Sequence, residues 1–159
     1  MQKELNLIRQ KNNAMPITIR PANKTDLPVI YNFICELEEF AFAPSLFKEY
    51  YLKNIANTDY LYLVAIDEND GVMGYLSCHG QVLLHHNGWV FEIQEMFVQK
   101  EARNKGVGKM LMHSLEQQLA TRNCKSLEVT ANIKRTETHA YYLACGFIET
   151  HKKFTKEWR

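Results

Sequence analysis

Residues 89–121 read WVFEIQEMFV-QKEARNKGVGK-MLMHSLEQQLAT, and the rest of the chain is organised around their order of strand, basic glycine loop and helix. Trp89 to Val98 is rich in the aromatic and β-branched residues that strands favour. From Gly106 to about Thr121, Val107, Met110, Leu111, Ser114, Leu115 and Leu119 recur at helical spacing and predict one apolar side. Between strand and helix lies Arg103-Asn104-Lys105-Gly106-Val107-Gly108-Lys109. Glycine lets successive backbone N–H groups converge on an anion, and a helix N-terminus adds favourable partial charge. With Arg103, Lys105 and Lys109 nearby, the segment suits phosphate oxygens. The helix dipole contributes only about 0.3–1 kcal/mol at an exposed site, so a ligand held there needs several N–H bonds and further contacts along its length. A dinucleotide fingerprint requires a small residue where Leu111 stands, and a P-loop requires Ser or Thr where Met110 stands; neither fits.

Upstream, Ile17 to Arg20 alternates as a short strand ended by Pro21. Thr25, Asp26 and Pro28 mark a helix start, and Ile30, Phe33, Ile34 and Leu37 give it an apolar stripe. Pro44 and Ser45 open a second helix that Asn57 to Asp59 end. The Asp70-Gly71 turn predicts that Tyr60 to Ile66 pairs antiparallel with Val72 to about Leu84, with Trp89 to Val98 as the third strand of a meander. Downstream come a strand from Ser126 to Ala131, a short helix from Glu137 to Cys145 ended by Gly146, and a last strand from Phe147 to Thr155. These elements predict an α+β fold, an α/β sandwich around one sheet.

A chain of 159 residues, 46% hydrophobic, supports one core, and residues 15–159 read as one domain behind a polar extension, residues 1–14. The 19 basic and 18 acidic residues are interspersed, so no basic block marks a nucleic-acid partner. No segment approaches the roughly 20 apolar residues of a membrane span. Cys35, Cys78, Cys124 and Cys145 are widely spaced, which suits a reduced, cytoplasmic protein better than a disulfide framework.

Two further motifs give the loop a context. Arg103, Gly106 and Gly108 match the pattern Gln/Arg-x-x-Gly-x-Gly/Ala, and Tyr142, Gly146 and Phe147 match Tyr-x-x-x-Gly-Phe. In both, at this separation, the chain resembles the GNAT superfamily of N-acetyltransferases. Over about Ile17 to Lys156, HGQVLLHHNGW, EIQEMFV, NIKRTETHAYYLACGF and THKKFTK look like segments of the aminoalkylphosphonate N-acetyltransferases. Leu83 stands where that group has another histidine, and Arg135 where the superfamily often has asparagine; both departures bear on the substrate more than on the reaction.

The resemblance implies a mixed, mainly antiparallel central sheet with helices on both faces, and acetyl-CoA as co-substrate. It places the cofactor between the strand ending at Val98 and the strand ending near Asn132, against Met96, Phe97, Val98, Arg103, Asn104, Lys105, Gly106, Val107, Gly108, Lys109 and Asn132. It makes Tyr142 the general acid and Glu92 the base, with Glu95 lining the cleft or orienting the acceptor. On a regular strand Glu92 and Glu95 face opposite sides; a bulge, which would also explain the splay of the strands, removes that conflict. Tyr141 reads as core packing and Cys145 as a small buried hydrophobe.

The implied reaction needs such groups. A protonated alkyl amine, with a pKa about that of lysine, 10.4, cannot attack a thioester until a base removes its proton. The acceptor is expected to be a small primary amine, an aminoalkylphosphonate above all, with His79, Lys134, Arg135 and His139 as candidates to receive it. An aminoglycoside or protein amine, or a CoA-binding regulatory module without turnover, are the alternatives. His85 and His86 match a histidine-rich stretch of metal-responsive relatives, so a divalent metal is left open, as is a homodimer.

Overall fold

The computed structural model describes residues 16–158. The expected polar extension, residues 1–14, lies outside the described residues. Five strands, β1 (Thr18–Pro21), β2 (Tyr60–Ile66), β3 (Val72–Leu83), β4 (Gly88–Val98) and β5 (Cys124–Val129), form one sheet in the order β1-β2-β3-β4-β5. The first three pairings are antiparallel and β4–β5 is parallel. Helix α1 (Leu27–Glu38) and α2 (Pro44–Ile55) cover one face; α3 (Val107–Leu119) and α4 (Thr136–Ala144) belong to the other.

Strand alternation builds two cores. Leu61, Leu63, Leu76, Cys78, Phe91 and Ile93 pack with Val107, Leu111, Met112, Leu115 and Leu119 of α3. Tyr62, Val64, Tyr75 and Phe97 face Ile30, Phe33 and Ile34 of α1 and Tyr51 of α2. Gly74 lets α3 lie close, since a Cβ there would meet Val107 at 2.9 Å. Met110, expected in the buried stripe, is exposed, and Met112 is buried instead. At about 100° per residue, Met112 lies nearer the centre of the arc set by Val107, Leu111, Leu115 and Leu119.

Helix α1 is anchored before it begins. The Asn23 side chain accepts from Thr25 N, and Asp26 takes both Arg20 guanidinium nitrogens, at 2.7 and 2.8 Å, together with the Asn23 N–H. The Asp70-Gly71 turn forms as expected, with the Asp67 carboxylate accepting from Asn69 N and Gly71 N. The expected strand from Phe147 to Thr155 does not form: the segment has no ladder partner, and Ile148 and Phe154 are exposed. A strand exists only by pairing, and Lys152-Lys153 interrupts the apolar alternation that would fix a buried face.

Candidate active site

The parallel pairing of β4 with β5 ends at Ile93↔Val129, while β4 continues to Val98 paired with β3 alone. The strands therefore part beyond Ile93, and one flank of β4 from Gln94 to Val98 has no ladder partner among the described residues. At that point β4 carries a bulge: Ser77 pairs Glu95 and Cys78 pairs Ile93, leaving Gln94 as the extra residue. The bulge reverses the alternation. Phe91, Ile93, Met96 and Val98 face α3, whereas Glu92, Glu95 and Phe97 face the side of α1 and α2.

Both glutamates thus share a face, three residues apart. The Thr130 hydroxyl donates to Glu92 Oε1 at 3.0 Å, and the Gln94 amide donates to the Glu92 carbonyl at 3.2 Å. Glu95 receives the hydroxyl of fully buried Ser77, whose oxygen in turn accepts the Glu95 N–H at 3.2 Å. Burial raises the Glu95 pKa above the ordinary carboxylate value, with Glu38 adding to the effect and Ser77 opposing it. Neither Ser77 nor Thr130 was expected; an isolated serine inside the apolar run of β3 was the signal available for the first.

Across the parting, Tyr142 of α4 is buried and its hydroxyl lies 4.0 Å from Met96 Sδ. Gly146, at φ 90°, ends α4 in the left-handed region and turns the chain back, so that Phe147 N–H bonds the Tyr142 carbonyl at 3.1 Å. The two rings then pack edge to face at 5.4 Å. The Tyr-x-x-x-Gly-Phe pattern is therefore a helix stop that fixes the phenol. Burial, with Cys145 nearby, pushes its pKa up to about 12.

The glycine loop closes the far end. Asn104 at φ 60° and Gly106 at φ 84° turn the chain into α3, and no side chain caps the first turn of that helix. Its leading N–H groups have no intrahelical partner, as at the start of any helix. Arg103 Nε donates to Val98 O at 3.0 Å, tying the loop to the end of β4, and Lys105 and Lys109 are exposed. At Gly108 a Cβ would stand 3.1 Å from Met96 Cε and 3.2 Å from Tyr141 Oη. That Tyr141 hydroxyl is buried and has no hydrogen-bond partner among the described residues.

Residues 27–147 match the Acetyltransferase (GNAT) family. The chain belongs to the GNAT family. It is 32% identical over 151 residues to an aminoalkylphosphonate N-acetyltransferase of Salmonella typhimurium, a match covering 94% of this chain and 97% of that relative. Among solved structures, a transcriptional regulator from Bacillus halodurans superimposes with a TM-score of 0.83 at 18% identity, over 90% of this chain and 100% of that one. The aminoglycoside N-acetyltransferase AAC(6')-Iy in complex with CoA gives 0.80 at 17%, over 91% and 96%. At such identities the structural likeness is one of fold.

The protein is thus an acetyl-CoA-dependent N-acetyltransferase of the GNAT family. The residues present fit that co-substrate: uncapped helix N–H groups for phosphate, a side-chain-free Gly108, and an unpartnered Tyr141 hydroxyl beside it. The cations expected to receive the acceptor are less available to this acetyltransferase than their sequence suggests. Arg135 Nη2 donates to Leu37 O at 2.7 Å and lies 3.5 Å from Glu38 Oε1, clasping the loop after β5 to the end of α1. His139 Nε2 donates to Asn132 O at 2.9 Å, and Asn132 Oδ1 takes the Lys134 N–H, so Lys134 alone extends as an exposed cation. His85 and His86 sit side by side in a turn after β3, with His86 Nε2 3.8 Å from Glu128. Among the described residues no three His, Cys, Asp or Glu side chains gather as a metal set. No described helix is long and apolar enough to cross a membrane.

Proposed function

We propose that the protein transfers the acetyl group of acetyl-CoA directly to the primary amine of a small aminoalkylphosphonate. The observation that carries this reading is the bulge at Gln94. It turns Glu92 and Glu95 toward the side of α1 and α2 and leaves Met96 facing Tyr142 at the place where β4 and β5 part. A base and an acid then flank one gap. The amine enters beside the two carboxylates, which attract its ammonium form and remove the proton that frees the nitrogen lone pair for attack. The family resemblance points to Glu92, whereas the burial that raises the Glu95 pKa favours Glu95 as the group that accepts the proton.

The unpaired flank of β4 from Gln94 to Val98 supplies N–H donors for the oxyanion of the tetrahedral intermediate; losing one such donor typically costs about 2.7–4 kcal/mol. Tyr142, which burial keeps protonated, gives its proton to the departing thiolate. The diphosphate is received by the loop from Arg103 to Lys109, chiefly through the N–H groups that follow Arg103, whose own N–H donates to the Lys100 carbonyl, and Asn132 is a further candidate contact. The preference for a phosphonate rests on the Salmonella relative and on Lys134, an exposed cation in the loop that follows β5. A cytoplasmic setting agrees with four free cysteines.

Thiol release from acetyl-CoA, measured across a panel of amines, tests the reading. 2-Aminoethylphosphonate is expected to be turned over with the highest kcat/KM, and Tyr142→Phe to lower kcat by about 10²–10⁴, the usual reach of a general acid. Preference for an aminoglycoside or a protein amine would overturn the substrate assignment. Acetyl-CoA binding without release for any amine would leave a regulatory module.

A further inference from the structure

On the acceptor face, two strand positions from Ser77, His79 is held by three neighbours at once. Its ring stacks on Tyr60 at 3.7 Å between centroids and 5° between planes. Its Nε2 is 2.9 Å from the Tyr62 hydroxyl, and that hydroxyl oxygen receives the Asn54 amide nitrogen, also at 2.9 Å. Across the ladder His79 pairs with Glu92. The direction of the chain of bonds follows from its first member. An amide nitrogen only donates, so Asn54 Nδ2 cannot take the phenolic hydrogen, and of the two nitrogens bonded to the Tyr62 oxygen the imidazole is the one able to accept it. Nε2 must then accept, and the ring's single remaining hydrogen belongs on Nδ1.

We infer that Tyr62, oriented by Asn54, is a positioning residue that locks His79 as the neutral Nδ1–H tautomer, so that His79 offers the acceptor substrate a hydrogen-bond donor and takes no proton from its amine. The identity of the substrate rests on the function proposed above; the tautomer does not. Among the described residues no protein group bonds Nδ1, which leaves that donor for a ligand. The groups facing the ring are Tyr60 and Tyr62 from β2, Glu92 from β4 and, through Tyr62, Asn54 from α2 and Glu95. Protonation would place a hydrogen on Nε2 against the phenolic hydrogen, and burial lowers the His79 pKa while Glu92 pulls it the other way. Burial also raises the Tyr62 pKa, so its hydroxyl keeps the hydrogen it donates. The proton-accepting role is thereby left to the carboxylates.

The test reads the tautomer directly, by ¹⁵N correlation spectra of the His79 ring in the full chain without substrate. The wild type is expected to show a protonated Nδ1 and a bare Nε2 at pH 7. Tyr62→Phe is expected to shift the pattern toward Nε2–H and to raise the His79 pKa. In the same variant KM for the turned-over amine is expected to rise about three- to tenfold, the loss of one neutral hydrogen bond, and more than kcat falls. His79→Asn, which keeps a donor near the Nδ1 position, is expected to retain a lower KM than His79→Phe. An Nε2–H tautomer in the wild type, or an unchanged pattern in a folded Tyr62→Phe, overturns the inference. The spectra decide it whichever amine proves to be the substrate.

Discussion

Glu95 sits where a carboxylate is least comfortable, and its one close partner is a serine hydroxyl. A base in that environment holds its proton to a higher pH than a solvated carboxylate, so its effect on rate has a definite sign. As pH falls through the raised pKa, the carboxylate is neutralised and kcat/KM drops, beginning above the ordinary value of 4.5. Glu95→Gln is expected to abolish that acid limb and to lower kcat/KM by about 10²–10⁴ at pH 7. Glu92→Gln is expected to keep the limb. A pH–rate profile of the three proteins checks this, and loss of the limb in Glu92→Gln alone would return the base to Glu92. The sequence made both carboxylates and Tyr142 visible as candidates, because motif spacing carries them. It did not show Ser77 or Thr130 as their partners, since a strand-to-strand pairing 18 or 38 residues away leaves no local pattern. Arg135 reads as a free cation in sequence, and only the fold brings the Leu37 carbonyl to it from 98 positions away.

The strands and helices themselves were largely legible, because apolar periodicity and turn chemistry are local. Tyr60–Ile66 is bounded as the Asn57 to Asp59 break and the Asp70-Gly71 turn require, and Pro44 opens α2 where an N-terminal proline belongs. The last segment, from Phe147, failed for the opposite reason: its apolar residues fit a strand, but a strand needs a neighbour and none of the described strands supplies one. The start of α1 shows how a few polar residues hold an element in place. Asp26, 3% exposed, links β1 to α1 through Arg20. Burial alone would raise its pKa, but the bonds from Arg20 and Asn23 outweigh that and hold it below the ordinary value of 3.8. The stabilisation is therefore fully present above that value and is lost as pH falls through the lower, folded-state pKa. Asp26→Asn removes the charged partner of Arg20, which stays partly exposed and keeps its bond to the Pro21 carbonyl, and is expected to cost about 1.5–3 kcal/mol, the usual range for a hydrogen bond to a charged group. Urea unfolding at pH 7 and at pH 3 measures it: the deficit should shrink at the lower pH, and an equal deficit at both would exclude the ion pair as its source.

The molecule as a whole is two cores divided by a sheet that opens at one end, and side chains from the segment after β5 reach over that opening. From the chain that follows β5, Thr130 donates to Glu92, the Tyr142 hydroxyl lies against Met96, and Arg135 donates to the Leu37 carbonyl. A ligand seated between β4 and β5 adds further contacts across that opening, and it does so only in the folded state. At a concentration of acetyl-CoA one hundred times its dissociation constant, mass action contributes about 2.7 kcal/mol. For a chain of this size that corresponds to a rise in melting temperature of about 5–10 °C. With the diphosphate seated as proposed, on backbone N–H groups of a loop at positive φ, the rise depends on Gly106, which has φ 84°. A β-branched residue resists that conformation, although a side chain there would meet open space. Gly106→Val is thus expected to lose most of the acetyl-CoA-dependent shift while binding no worse for want of room. Scanning calorimetry with and without acetyl-CoA separates the cases: a full shift in Gly106→Val would mean that the loop's backbone does not hold the diphosphate, and the cofactor would have to lie elsewhere on the sheet.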